Sequence, residues 1–301
     1  MRFCIWKLKE SGDFMSKLFS GLEAFGLAGL SKMKLYEKET KEDEGEKKKE
    51  VVQPKEEDFI FDKTYNCTVC DKEFKAKTIR TGKAKLVSSD TDLRPRYHVI
   101  DAIKYDVIVC PACGYAAMTR FFPSLSSAQI KLIRENIGKN FTGIKDVEGS
   151  IYTYDDAITR YKLALVTSIV KRGKTSERAY TCLKIAWLLR GKSETLPENT
   201  PNLEEIKKEL LQEEMECLLN AYTGFLEASS KENYPICGMD ENTVMYLLAG
   251  VAGKLGKYED ANRWISRILV SREANERVKK KARELKEMLK EEAAAKGEVA
   301  K

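Results

Sequence analysis

Cys67-Thr68-Val69-Cys70 and Cys110-Pro111-Ala112-Cys113-Gly114 are the two stretches on which the reading of this chain turns. In each, two cysteines stand three positions apart after an apolar run, and thiolates at that spacing face one ion when the chain turns tightly between them. Pro111 and Gly114 suit such a turn. Four sulfurs close a tetrahedral shell, so Cys67, Cys70, Cys110 and Cys113 are expected to hold a structural zinc ion. A redox dithiol, a four-sulfur iron site and unliganded core cysteines are the competing readings. A redox motif wants one pair at a helix start within a strand–helix–strand pattern, whereas both pairs here follow strand-like runs. Four thiolates also leave no open position for water, which argues against catalytic zinc, while the same cage admits iron.

Around the cysteines, from Phe59 to about Tyr115, the pattern favours strands. Thr78–Val87 reads as a hairpin turning at Gly82, and Tyr105-Asp106-Val107-Ile108-Val109 as a further strand. Lys75, Lys77, Arg80, Lys83 and Lys85 recur along this hairpin, and on a strand Lys75 and Lys77 share a face. Between Asp58 and Lys145 there are 15 basic and 9 acidic residues, a surplus equal to the +6 of the whole chain. Such a face can track a phosphate backbone, or it can be the solvated outer side of a small sheet whose lysines discourage edge pairing.

Beyond the cysteines the period changes. Ser126 or Ser127 is placed to cap a helix carrying Ile130, Ile133 and Ile137, and from Tyr152 to Ala295 the pattern is helical. Breaks near Gly173, at Gly191–Pro201, at Asn233–Gly238, at Gly256 and near Ser271–Asn275 divide it into about six helices. Ala157-Tyr161-Ala164, Ala221-Phe225-Ala228 and Ala261-Ile265-Ile268 repeat one spacing that puts each triplet on a single helix face. With Gly256-Lys257-Tyr258-Glu259-Asp260-Ala261 they resemble tetratricopeptide units, although the steps between them do not keep a 34-residue period. Stacked helical hairpins leave grooves that take peptides or partner helices; a plain helical bundle is the other reading.

The remaining residues exclude more than they suggest. No stretch approaches the roughly 18 apolar residues of a spanning helix, since Lys17, Glu23, Lys32 and Lys34 interrupt Phe14–Tyr36. The start from Met1 to Lys7 is too short in its apolar part for a secretory signal, so a cytoplasmic location without disulfides is expected, with Met15 as an alternative start. Gly173-Lys174-Thr175 and Gly191-Lys192-Ser193 are not phosphate loops, because Ser168 and Ala186 occupy the position of the first glycine. Asp90-Thr91-Asp92-Leu93-Arg94-Pro95-Arg96 reads as turn chemistry. His98 is the only histidine, which removes histidine-based metalloenzyme motifs, and it is expected to be structural. Cys182 and Cys217 fall in helical runs and are expected in the core, and Cys4 and Cys237 lack ligand spacing.

The run Phe59–Phe74, with Asp90–Pro95 and Tyr105–Ala117, resembles an uncharacterised bacterial family, domain of unknown function 2225. The resemblance extends to the leading Leu18–Glu23 segment and the helical tail, and implies a zinc-ribbon-like module joined to helical repeats. The expected fold is therefore mainly α with a small β zinc-binding module: a zinc-ribbon-like N-terminal module plus tetratricopeptide-like helical hairpins. Expected boundaries are an amphipathic segment at 1–36, a charged disordered linker at 37–57, the zinc-ribbon-like module at 58–125, the helical domain at 126–295 and a tail at 296–301. The expected function is a non-enzymatic zinc-binding adaptor with a protein partner on the helices. Its alternatives are a nucleic-acid binder using Lys75, Lys77, Arg80, Lys83 and Lys85, and a thiol-based redox or metal sensor. Loss of Cys70 or Cys113 is expected to unfold the β module and spare the helices.

Overall fold

The structure, a computed structural model, describes residues 54–144 and 151–295. The amphipathic segment, the linker up to residue 53 and the tail at 296–301 lie outside the described residues. The described chain enters through a 3-10 turn, Glu56–Phe59, whose Glu56 carboxylate meets Lys104 Nζ at 2.5 Å and accepts from the Tyr105 hydroxyl at 2.6 Å.

Three antiparallel strand pairs follow. β1 (Ile60–Asn66) pairs with β2 (Glu73–Ile79), from Ile60 opposite Ile79 to Asn66 opposite Glu73, so Cys67–Cys70 occupies the hairpin tip. β3 (Leu86–Ser89) pairs with β4 (Pro95–Tyr97), and β5 (Val107–Val109) with β6 (Ala116–Met118), which puts Cys110–Cys113 at the second tip. The hairpin expected over Thr78–Val87 is not formed. Gly82 does sit in a turn at φ 74°, with the Lys83 N–H bonded to Arg80 O at 3.1 Å, but β2 ends at Ile79 and Leu86 pairs with Tyr97. Partner choice follows burial: Phe74 and Ala76 of β2 are covered beside β1, whereas β3 is exposed throughout and offers β2 no apolar face. The run expected as a strand from Tyr105 is a strand only from Val107, because Asp101 accepts from the Ile103 N–H and caps a 3-10 turn over Ala102–Tyr105.

α1 (Ser127–Ile133) starts at a reciprocal cap in which Ser126 Oγ accepts from the Gln129 N–H and Gln129 Oε1 accepts from the Ser126 N–H, and it runs on as a π-helical turn, Arg134–Gly138. α2 (Tyr154–Val170), α3 (Thr175–Thr195), α4 (Leu203–Lys231), α5 (Glu241–Lys254), α6 (Tyr258–Val270) and α7 (Glu276–Ala295) complete the chain. Four of their breaks coincide with those read from the sequence; the fifth, read at Gly191–Pro201, falls later, because α3 runs through Gly191 to Thr195 and α4 starts at Leu203. Thr153 and Asp240 cap α2 and α5, and Gly256 ends α5 at φ 71°. All three alanine triplets are buried, and α3 packs along α4 as α5 does along α6. Among the described residues the protein is mainly α with small antiparallel strand pairs, and no helix is long and apolar enough to cross a membrane.

The β5–β6 hairpin is buried on both faces. Val107, Val109, Ala116 and Met118 point into the core shared with the helices, and Ile108, Cys110, Tyr115 and Ala117 point into a second core around the cysteines. An unbroken Val-Ile-Val run is what a strand covered on two sides requires. α1 closes the cysteine core through Ile133 and Ile137.

Candidate metal centre

The two hairpin tips are built alike. In the first, the Cys67 N–H bonds to Lys72 O at 3.0 Å and the Asp71 N–H to Cys67 O at 2.8 Å; in the second, the Cys110 N–H bonds to Tyr115 O at 2.8 Å and the Gly114 N–H to Cys110 O at 3.0 Å. Both turns place their fifth residue in the left-handed region, Asp71 at φ 60° and Gly114 at φ 72°. Gly114 has no substitute, because a Cβ there would lie 2.6 Å from the Phe141 ring, while Asp71 is exposed and pairs with Arg134 at 3.5 Å. Arg134 also donates through Nε to Val69 O at 2.5 Å, tying the first tip to α1's extension.

These turns bring Cys67, Cys70, Cys110 and Cys113 together, with all four Sγ atoms within 4.8 Å of one another. Cys67 and Cys113 are 3.6 Å apart, as are Cys70 and Cys110. That is too long for a disulfide, in which the sulfurs stand about 2.0 Å apart, and near the ~3.8 Å between thiolates on one tetrahedral zinc ion. The surroundings suit anionic sulfur. The Val69 N–H donates to Cys67 Sγ at 3.4 Å, and the backbone N–H groups of Cys70 beside Cys67 and of Ala112 and Cys113 beside Cys110 favour the thiolate form. Beneath lie Phe74, Tyr115 and Phe122, with Tyr115 stacked on Phe122 at 4.8 Å and its hydroxyl donating to Phe122 O at 2.7 Å.

The donor set fits a metal ion. Among bare thiols, hydrogen bonds from Cys113 and Cys67 hold Cys110 down at about 2, whereas the bond to Cys110 pushes Cys67 up to about 12 and raises Cys113 as well. A bound dication favours the thiolate form of the sulfurs that would hold it. Three of the four cysteines are buried and the fourth half-buried, so the cluster can hold a metal ion with no position left for substrate.

The other singled-out residues lie apart. Lys75 and Lys77 do share a face of β2, but Lys77 is only 8% exposed and its Nζ is 3.2 Å from Asp62 Oδ1 on the paired strand. It is removed from the basic set, while Lys75, Arg80, Lys83 and Lys85 stay exposed. His98 is exposed and outside the cysteine cluster. Cys182 is buried in α3, Cys217 half-buried in α4, and Cys237 donates to Ser176 O at 3.4 Å.

The Asp90–Arg96 segment carries more than turn chemistry. The Leu93 N–H does bond to Asp90 O, but Asp92 is fully buried, bonded to Arg190 at 2.6 Å and to Trp187 Nε1 at 3.2 Å. Arg96 grips Asp90 through two nitrogens and also reaches Glu194, as Arg94 does at 3.0 Å. Gly250 of α5 admits the loop, since a Cβ would stand 2.2 Å from Thr91 O. The residues are visible in sequence as mixed charge; their partners about a hundred positions away on α3 are not.

Fold and site together define a helical protein carrying small antiparallel strand pairs and a four-cysteine cluster that could hold a metal ion. The chain belongs to the family described as an uncharacterized protein conserved in bacteria (DUF2225), whose model matches residues 60–289. The match begins at Ile60, so it does not include the leading Leu18–Glu23 segment to which the resemblance was expected to extend. No curated protein and no solved structure matches the chain.

Proposed function

We propose that the protein is a non-enzymatic, cytoplasmic adaptor in which zinc, held by Cys67, Cys70, Cys110 and Cys113, organises a zinc-ribbon-like module while tetratricopeptide-like helices carry a protein partner. The observation that bears the most weight is the pair of matching hairpin tips with four converging sulfurs, a closed shell suited to architecture rather than turnover. The partner surface we assign to the cavity of about 480 Å³ among α2, α3 and α4, where Leu165, Ile169, Ala179 and Cys217 form an apolar floor beside Lys162, Arg178 and Glu216. Ile169 is 55% exposed there and Val166 of the same helix 48%, apolar area that a partner helix would cover. Two measurements test this reading. Elemental analysis should return one zinc per chain, lost when the four cysteines become serine. Affinity capture from native cytosol at high salt should return one stoichiometric protein, lost with Ile169→Glu at unchanged melting temperature. Metal-free protein, or capture indifferent to Ile169, defeats the respective half.

The exposure of Lys75, Arg80, Lys83 and Lys85 favours nucleic acid as the second reading. Binding through them should weaken steeply with salt, and changing all four to Gln should flatten the slope by up to about four counterions. An unchanged slope removes it. For a thiol sensor, mild peroxide should release the metal; retention counts against that role.

A further inference from the structure

Away from the cysteines, a cavity of about 410 Å³ opens where the end of β2, β4, the Ala102–Tyr105 turn and α3 meet. α3 lines it with Tyr180, Lys184 and Trp187, which stand four and seven positions along one helix face. Leu93, Tyr97 and Asp106 line it as well. Apolar and aromatic side chains make up most of the lining, with Thr78 and Thr119 among the polar residues. Lys184 is buried and ion-paired with Asp106, and its Nζ lies 4.7 Å over the Tyr180 ring. Burial works against this ammonium, but Asp106 and the neighbouring phenols outweigh it and hold Lys184 charged. Asp106 takes one of three ammonium protons, which leaves donor capacity beside the cavity. The hydroxyls of Tyr97 and Tyr180 have no hydrogen-bond partner among the described residues, and Lys184 is near enough to oppose the burial that raises Tyr97.

We infer that this cavity binds a small organic carboxylate with an apolar or aromatic body, its carboxylate received by Lys184, Tyr97 and Tyr180 and its body by Leu93 and Trp187. The Lys184 ammonium and two tyrosine hydroxyls line the same cavity and can donate to a carboxylate's two acceptor oxygens, and the size falls within the range of small-molecule sites. Asp106 already neutralises the Lys184 charge, so the site suits a single negative charge held by hydrogen bonds better than a phosphate dianion.

The experiment is a saturation-transfer NMR titration of full-length, metal-loaded protein with 3-phenylpropionate and, in parallel, with 3-phenylpropionamide. The acid should bind at least about tenfold more tightly than the amide, as a charge-assisted pair requires. Tyr97→Phe with Tyr180→Phe keeps both rings and should leave melting unchanged while weakening the acid several-fold; Lys184→Gln should erase the preference for the acid. Equal binding of acid and amide, no binding of the acid, or an unaffected double phenylalanine variant overturns the assignment. Should Lys184→Gln fail to fold, the tyrosine pair and the amide still decide it.

Discussion

Stripping the metal from the four-cysteine cluster should lower the melting temperature of the helices, not only of the β module. The reason lies in β5–β6, which carries Cys110 and Cys113 beyond its strands and buries its other face in the helical core. Val107 and Val109 are each 2% exposed and Met118 1%. Burying a side chain of this kind contributes about 1.5–3 kcal/mol, so the three together are worth about 5–9 kcal/mol, comparable with the whole stability of a domain. If the four thiols repel or reprotonate and the hairpin loses half of that contact, about 3–4 kcal/mol goes. For a domain of this size that is a fall of about 10 °C. The assay is far-UV circular dichroism at 222 nm on metal-loaded and chelated protein, with metal content checked in both. Cys113→Ser should behave like the chelated sample. A helical melting temperature that stays within a degree or two after complete metal removal would refute the reasoning and restore the simpler expectation of a module that unfolds alone.

Gly114→Ala should cost more than the ~1–2 kcal/mol of a left-handed alanine, because the added methyl also meets Phe141, whereas Asp71→Gly at the matching position should be neutral or stabilising in urea titrations; equal effects would deny that the two tips differ as described. Arg190→Ala leaves fully buried Asp92 and buried Glu214 without their guanidinium and should destabilise by about 3–5 kcal/mol, while a combined Arg190→Met, Asp92→Leu, Glu214→Leu replacement should recover most of it in the same titration. Burial opposes the charged forms of Asp90 and Glu194, but their arginine partners prevail and hold both below their ordinary 3.8 and 4.5. Since the folded values lie under the unfolded ones, their stabilisation is complete above about pH 4.5 and is lost as the pH falls through the folded values; Asp90→Asn should therefore flatten the acid limb of a melting-temperature profile.

The convergence of the two cysteine pairs was legible because ligand spacing is local chemistry: a tight turn needs only its own residues to aim two sulfurs the same way. Helix boundaries were legible on the same ground. Ser126, Thr153 and Asp240 cap with their own side chains, and Gly256 relieves its own backbone. The alanine triplets announced buried helix faces because periodicity alone fixes which residues share a side.

Strand partners were another matter. Thr78–Val87 contains a sound turn, yet β2 pairs backwards with β1, since the choice rests on which neighbour covers Phe74 and Ala76. Lys77 looked like part of a basic face until register set Asp62 opposite it. The Asp90–Arg96 loop kept its turn but acquired its buried partners from α3, and the Lys184 cavity exists only where four separate elements meet. A residue's own neighbours in the chain dictate turns, caps and ligand spacing, and those could be read directly. Burial, charge pairing and cavity shape depend on which distant surfaces exclude water from one another, and in this protein that was decided by the folding of β5–β6 between the cysteine core and the helices.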